Sequence, residues 1–163
     1  MNLGVSHSNA DVILFLHCDC TLPRQALKLI RSSLDAVGSQ AGAFDTRTVR
    51  EGHPRRIQRL MWLADLRSRH TRYPYGDQAL FVKRSVFDSV GDFPNDPILE
   101  DLSLSRKLAH RRRIVRVNAP VVVSSRRFVG SPVRTGAVMR LIPVLAWLGV
   151  PKERLSALYP LVR

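Results

Sequence analysis

The stretch DVILFL, residues 11–16, constrains the fold more than any other part of this chain. It is a continuous β-branched and aliphatic run, the pattern of a strand covered on both faces, as at the centre of a parallel sheet. Helix signals follow at once in TLPRQALKLIRSSLDAVG, residues 21–38. Pro23 suits a first turn, Ala26, Ile30, Leu34 and Val37 recur at helical spacing, and Gly38 fits the C-terminal stop. A buried strand feeding an amphipathic helix implies an α/β layer.

The remaining segments extend that reading. GAFDTRTV (42–49) predicts a strand, and residues 54–69 a longer helix with Ile57, Leu60, Met61 and Ala64 on one side. YPYGDQ (73–78) is a turn cluster, ALFVK a strand, RSVFDSVG a short helix and DFPNDP a loop. LEDLSLSRKLAHR (99–111) predicts a helix with Glu100 and Asp101 in its first turn; RIVRV and PVVVSS predict two more strands. From Pro132 onward the pattern is a helical extension, residues 132–163, broken at Pro143 and Pro151. At 163 residues, with 45% apolar composition and no internal repeat or linker, the chain reads as one globular domain over 1–163.

Charge narrows the partners. Lys and Arg number 26 against 13 Asp and Glu, a formal net charge of +13, which attracts anions of every kind. The basic residues are scattered, few aromatics lie among them and no nucleic-acid module accompanies them, so nucleic acid is not the expected partner. Two cysteines, Cys18 and Cys20, give no disulfide framework and fit a reducing compartment, and the N-terminus has no signal-peptide pattern; the expected location is the cytoplasm. The longest apolar stretch, LIPVLAWLGV (141–150), is about half a membrane span, so at most it touches a membrane from the inner face; burial of a terminal helix explains it more simply.

Four places could carry chemistry. In His17-Cys18-Asp19-Cys20 an extended strand would turn His17 and Asp19 one way and both cysteines the other, where they would be buried as small apolar groups beneath the helix. Cys-x-Cys is a poor start for a zinc site. Asp19, at the carboxyl end of a strand, either holds a hard divalent cation or caps the turn into the next helix. Glu100 and Asp101 are favourable at a helix N-terminus whatever their role, or Asp101 is a general base with Glu100 alongside. Gly76, Asp77 and Gln78 either read sugar hydroxyls or form an ordinary polar loop. Arg126 and Arg127 either clamp a diphosphate or are solvated surface. The remaining histidines, including His53, are read as solvent-facing.

The order of these elements is more telling than any one of them: apolar strand, Asp19 and Pro23, PYGDQALFVKRSVFDSVGDFP, ILEDLSLSRKL, then APVVVSSRRF. That succession resembles the family 2 glycosyltransferases, inverting enzymes of the GT-A fold. More narrowly, it resembles a small bacterial subgroup of family 2-like transferases associated with radical-SAM and selenodomain proteins, whose C-terminus LGVPKERLSALYPLVR also resembles. The resemblance implies a Rossmann-like α/β domain with a mixed, mostly parallel sheet flanked by helices. It also implies sugar transfer from a nucleotide-diphosphate donor to an acceptor hydroxyl, of unspecified identity, assisted by Mg or Mn. Asp19 then matches the second acid of the family's Asp-x-Asp element, with His17 at the first position, and Asp101 matches the catalytic base, with Glu100 beside it. Arg126 and Arg127 would face the donor diphosphate, and Gly76, Asp77 and Gln78 the acceptor. Relatives begin with a strand and helix that carry the nucleotide base pocket, so the resemblance implies a domain incomplete at the N-terminus, starting near Met1-Asn2-Leu3-Gly4. The alternative is a non-catalytic remnant that binds anions or a partner.

Overall fold

The computed structural model describes residues 1–36, 38–111, 114–128 and 132–158, and the side chains of Arg111 and Arg127 lie outside that description, as does Val37. Five strands form one mixed sheet: β1 (Val12–Leu14), β2 (Cys20–Thr21), β3 (Ala41–Thr48), β4 (Phe81–Lys83) and β5 (Ile114–Val123). Their spatial order is β1-β4-β3-β5-β2, and the sheet curls into half a barrel. The α/β class therefore stands, but the sheet is not mostly parallel. β3 and β5 run parallel, whereas β1 with β4, β4 with β3, and β5 with β2 are antiparallel.

Helices α1 (Asn2–Ser6), α2 (Ala26–Asp35), α3 (Arg55–His70), α4 (Arg84–Val90), α5 (Glu100–Arg111), α6 (Pro132–Trp147) and α7 (Lys152–Leu158) flank this sheet. Period-2 alternation divides the core between its two faces. Phe44, Phe81, Val117 and Val121 point toward Ala26, Ile30 and Leu34 of α2. Ala41, Ala43, Leu80 and Val82 point the other way, toward Val86 and Phe87 of α4 and Leu104 and Leu108 of α5. Phe15 completes the second face, edge-on to Phe93 at 4.8 Å between ring centroids. Gly42 makes room for this packing, since a Cβ there would lie 2.2 Å from the Phe81 ring.

Three local expectations are corrected. The 11–16 run is not a central strand: β1 is an edge strand paired on one side only with β4, and Val12 and Leu16 are exposed. RIVRV and PVVVSS are one strand, not two, because β5 absorbs Asn118 and Ala119 in a bulge where its register with β3 shifts from Phe44↔Val117 to Asp45↔Pro120. Pro143 does not break the tail; α6 runs through it, and the chain turns at Pro151 before α7.

One polar cluster in the core had no counterpart in the sequence reading. Asp65, on the buried face of α3 with Ile57, Met61 and Ser68, accepts from the Thr48 amide at 2.9 Å and the Thr48 hydroxyl at 2.8 Å. Its second oxygen pairs with Arg50. This carboxylate fastens α3 to β3 and leaves no buried donor of Thr48 unpaired.

Candidate functional site

The site forms around a short 3-10 turn, Gly76–Gln78, that the chain makes just before β4. Gln78 builds the turn. Its Oε1 accepts from the Tyr75 amide at 3.1 Å, and its Nε2 donates to the Phe44 carbonyl at 3.1 Å and the Ser68 carbonyl at 3.2 Å. With the residue only 1% exposed and its amide spent on the backbone, Gln78 is not available to an acceptor; that assignment is corrected to a structural one. Gly76 and Asp77 remain at the turn.

Asp101 comes to this turn from the first turn of α5. Its Oδ2 accepts from the Gly76 amide at 2.5 Å and its Oδ1 from the Leu102 amide at 2.7 Å. Two backbone amides and the positive end of the α5 dipole thus face this carboxylate. Each oxygen keeps a further lone pair for an incoming hydroxyl. Glu100, half-buried beside it, makes no side-chain hydrogen bond or ion pair among the described residues.

The His17–Cys20 segment reaches the turn from the other side. It is not an extended strand: the Cys20 amide donates to the His17 carbonyl at 3.1 Å, closing a tight turn that spoils the two-faced alternation. Cys18 is consequently exposed rather than buried, while Cys20 stays partly buried against the α2 side of the core. The Cys20 thiol lies 3.7 Å from both the Asp19 Oδ1 and the Asp77 carbonyl, linking that acid to the 3-10 turn. His17 Nε2 is buried without a hydrogen-bond partner among the described residues, and it sits where a side chain on Gly76 would be, 2.2 Å from an ideal Cβ, with Asp101 Oδ2 at 3.1 Å from the same point. The imidazole therefore packs with Gly76 and Asp101.

Asp19, its side chain 6% exposed, is paired with Arg126, whose Nη2 donates to Oδ2 at 3.3 Å and also approaches the Cys18 sulfur at 3.8 Å. Arg126 opens the 3-10 turn Arg126–Phe128 directly after β5, and the Ser124 amide donating to the Asp19 carbonyl at 2.9 Å holds the two segments together. The Arg127 side chain lies outside the described residues. Among the described residues no three His, Cys, Asp or Glu side chains group as metal ligands. A hard divalent ion commonly takes one or two carboxylates and completes its shell with water and substrate phosphates. Asp19 fits that pattern only together with a bound diphosphate, and His17 Nε2, packed on Gly76, does not supply the second ligand.

Two features mark the site that residue types alone did not reveal. Among the described residues two non-glycines have φ in the left-handed region, Ala79 at 46° and Leu99 at 63°. The first follows the 3-10 turn and the second precedes Glu100; such strain collects where structure is held for function. Tyr75, at the head of the turn, has its pKa raised by burial, with Asp101 and Asp77 adding to the effect and Arg67, stacked 4.0 Å over its ring, opposing it. Its phenol stays a protonated donor throughout the neutral range. His53 is likewise not solvent-facing: it is half-buried and bonded through Nε2 to Ser125 Oγ at 2.9 Å, next to Arg126. Its partner lies 72 residues away, beyond the reach of local pattern.

A cavity of about 440 Å³ lies elsewhere. It is lined by Ala43, Ser68, Arg72, Ala109, Val115 and Arg116 among others, and shares only Gln78 with the predicted site residues. A shallower depression of about 300 Å³ lies among Arg50, Arg55, Arg59 and Trp62. No protein-family model matches the chain, and no curated protein and no solved structure is significantly similar to it.

Proposed function

We propose that the chain is an inverting glycosyltransferase-like domain acting on a nucleotide-diphosphate sugar. One observation carries this reading: Asp19 and Asp101, remote in sequence, lie at the same three-residue turn, Asp101 accepting from the Gly76 amide and Asp19 next to Cys20, whose thiol is 3.7 Å from the Asp77 carbonyl. Transfer requires a base at the acceptor and positive charge at the leaving group, on opposite sides of one anomeric carbon. Asp101 takes the proton from the acceptor hydroxyl as its oxygen bonds to that carbon. The carbon–oxygen bond to the diphosphate breaks on the opposite face, its electron pair leaving with the diphosphate, and Arg126 neutralises the charge that builds there. A divalent cation brought in on the diphosphate would be held by Asp19 and would supply further charge neutralisation.

A second reading is favoured by the Arg126–Asp19 ion pair, which already satisfies the acid intended for the cation. It makes the chain a non-catalytic anion-binding domain. Calorimetric titration with a panel of nucleotide sugars, with and without Mn, separates the two. The transferase reading expects metal-dependent binding that weakens about tenfold in Arg126→Ala, since a charge-assisted hydrogen bond contributes about 1.5 kcal/mol or more, and Asp101→Asn that still binds donor but no longer turns it over. Metal-independent binding of diphosphates in general supports the second reading, and retained turnover in Asp101→Asn removes that residue from the base role.

A further inference from the structure

Helix α6 is mostly apolar. Its sequence, PVRTGAVMRLIPVLAW, contains no acid and two charges, Arg134 and Arg140. Such a helix needs apolar surroundings all round, yet among the described residues only one face is covered. Thr135 and Ile142 are buried, and Val138, Leu145 and Ala146 pack with Ile98 and Leu155 of the third core cluster. The opposite face lies open to solvent. Val133 is 66% exposed, Trp147 73% and Leu148 65%, and Ala137, Leu141 and Val144 complete an exposed stripe at helical spacing. This corrects the simpler expectation that burial of a terminal helix accounts for these residues.

We propose that this outer face of α6 docks in the plane of an anionic membrane surface. Charge selects that occupant. Arg140 is exposed within this stripe, between Ala137 and Val144, and Arg134 at its edge, and the chain carries a net +13, so a second copy laid on the same face would bring like charges together, whereas acidic headgroups would offset them. Length selects the orientation. Sixteen residues of helix span about 24 Å, less than the roughly 30 Å of a hydrocarbon core, and among the described residues no helix is long and apolar enough to cross a membrane. Trp147 stands at the C-terminal end of the stripe, and its amphipathic ring suits the headgroup boundary. The inference is independent of the chemistry assigned to the 3-10 turn.

The test is co-sedimentation of the full chain with vesicles of phosphatidylcholine, with and without phosphatidylglycerol. In a Trp62→Phe background Trp147 becomes the single fluorescent reporter. Binding to the anionic vesicles with a blue shift of Trp147 is expected. Leu141→Ser with Leu148→Ser, both on the open face and therefore neutral in thermal melting, is expected to lower partitioning by at least about tenfold. Arg134→Gln is expected to lower it by about fivefold, an effect lost at high salt. Trp147→Ser serves as an independent second variant with the same expectation as the leucine pair. Absence of binding, binding equal on neutral and anionic vesicles, or binding untouched by the leucine pair overturns the proposal. So does a dimer in analytical ultracentrifugation that the leucine pair dissociates, which would make the face a contact between copies.

Discussion

Replacing Gly76 by alanine probes the site through one atom. The backbone at Gly76 is outside the left-handed region, so alanine meets no conformational penalty and the whole effect is steric. The new methyl would fall 2.2 Å from His17 Nε2 and 3.1 Å from Asp101 Oδ2, against an ordinary contact that begins at 3.4 Å. The imidazole must therefore retreat by about 1.2 Å, and the Asp101 carboxylate by a few tenths. Overpacking of this kind costs about 1–3 kcal/mol, which for a chain of this length lowers the melting temperature by roughly 2–12 °C. His17→Ala should relieve it, because it vacates the point where the methyl lands and removes a nitrogen that has no hydrogen-bond partner among the described residues. The double variant should melt above the sum of its parts, with a coupling of about 1–2 kcal/mol in a double-mutant cycle. Urea denaturation of the four proteins measures this directly. Gly76→Ala melting with wild type, or losing as much stability in the His17→Ala background as in the native one, would refute the packing argument. In the transferase reading the same displacement, next to the base, is also expected to cost about a hundredfold in turnover.

Other expectations follow from the same contacts. Asp65→Ala strips the acceptor from Thr48 and the partner from Arg50, and should cost about 2–3 kcal/mol in urea denaturation. Gln78→Glu sets a carboxylate against the Phe44 and Ser68 carbonyls in a buried position and should cost about 3 kcal/mol or more, whereas an amide that merely reads sugars would tolerate the change. Asp96 is subject to burial, which alone would raise its pKa, but hydrogen bonds from Lys152 and Ser103 and the nearby ammonium charges outweigh it and hold the carboxyl below its usual range. A depressed carboxylate contributes stability above its unfolded pKa, near 4, and loses it as pH falls through the lower folded value. Asp96→Asn should accordingly melt lower than wild type at neutral pH and converge with it in strong acid. Since Lys152 starts α7 and Ser103 belongs to α5, amide exchange in α7 should accelerate in the variant at neutral pH.

What the sequence disclosed was what periodicity can carry. The helical spacing of Ala26, Ile30 and Leu34 places α2, and the acids ahead of Leu102 place the start of α5 within a residue. Sheet position was not legible in the same way. VILFL looks alike whether one edge or two are paired, because pairing depends on β4, some seventy residues away, and only the exposure of Val12 and Leu16 distinguishes the cases. In the site, the resemblance drew attention to Asp19, Gly76 and Asp101 as one group, and the turn at Gly76–Gln78 joins them. The fate of Gln78 was hidden because its hydrogen-bond partners, Phe44 and Ser68, belong to other elements. Asp65 was detectable in principle: it continues the Ile57–Met61 series by one helical step, so an acid on the apolar face of α3 announces a buried partner.

The topology also sets a schedule for synthesis. The two longest strands, β3 and β5, are laid side by side although Thr48 and Val123 are separated by most of α3, α4 and α5. On a ribosome, Phe44 and its neighbours emerge well before the strand that will shield them, and β2 waits still longer for the same partner. Closure of so distant a pair makes folding slow and leaves apolar segments uncovered meanwhile. High-yield expression of this chain is therefore expected to depend on holdase chaperones or on slowed elongation.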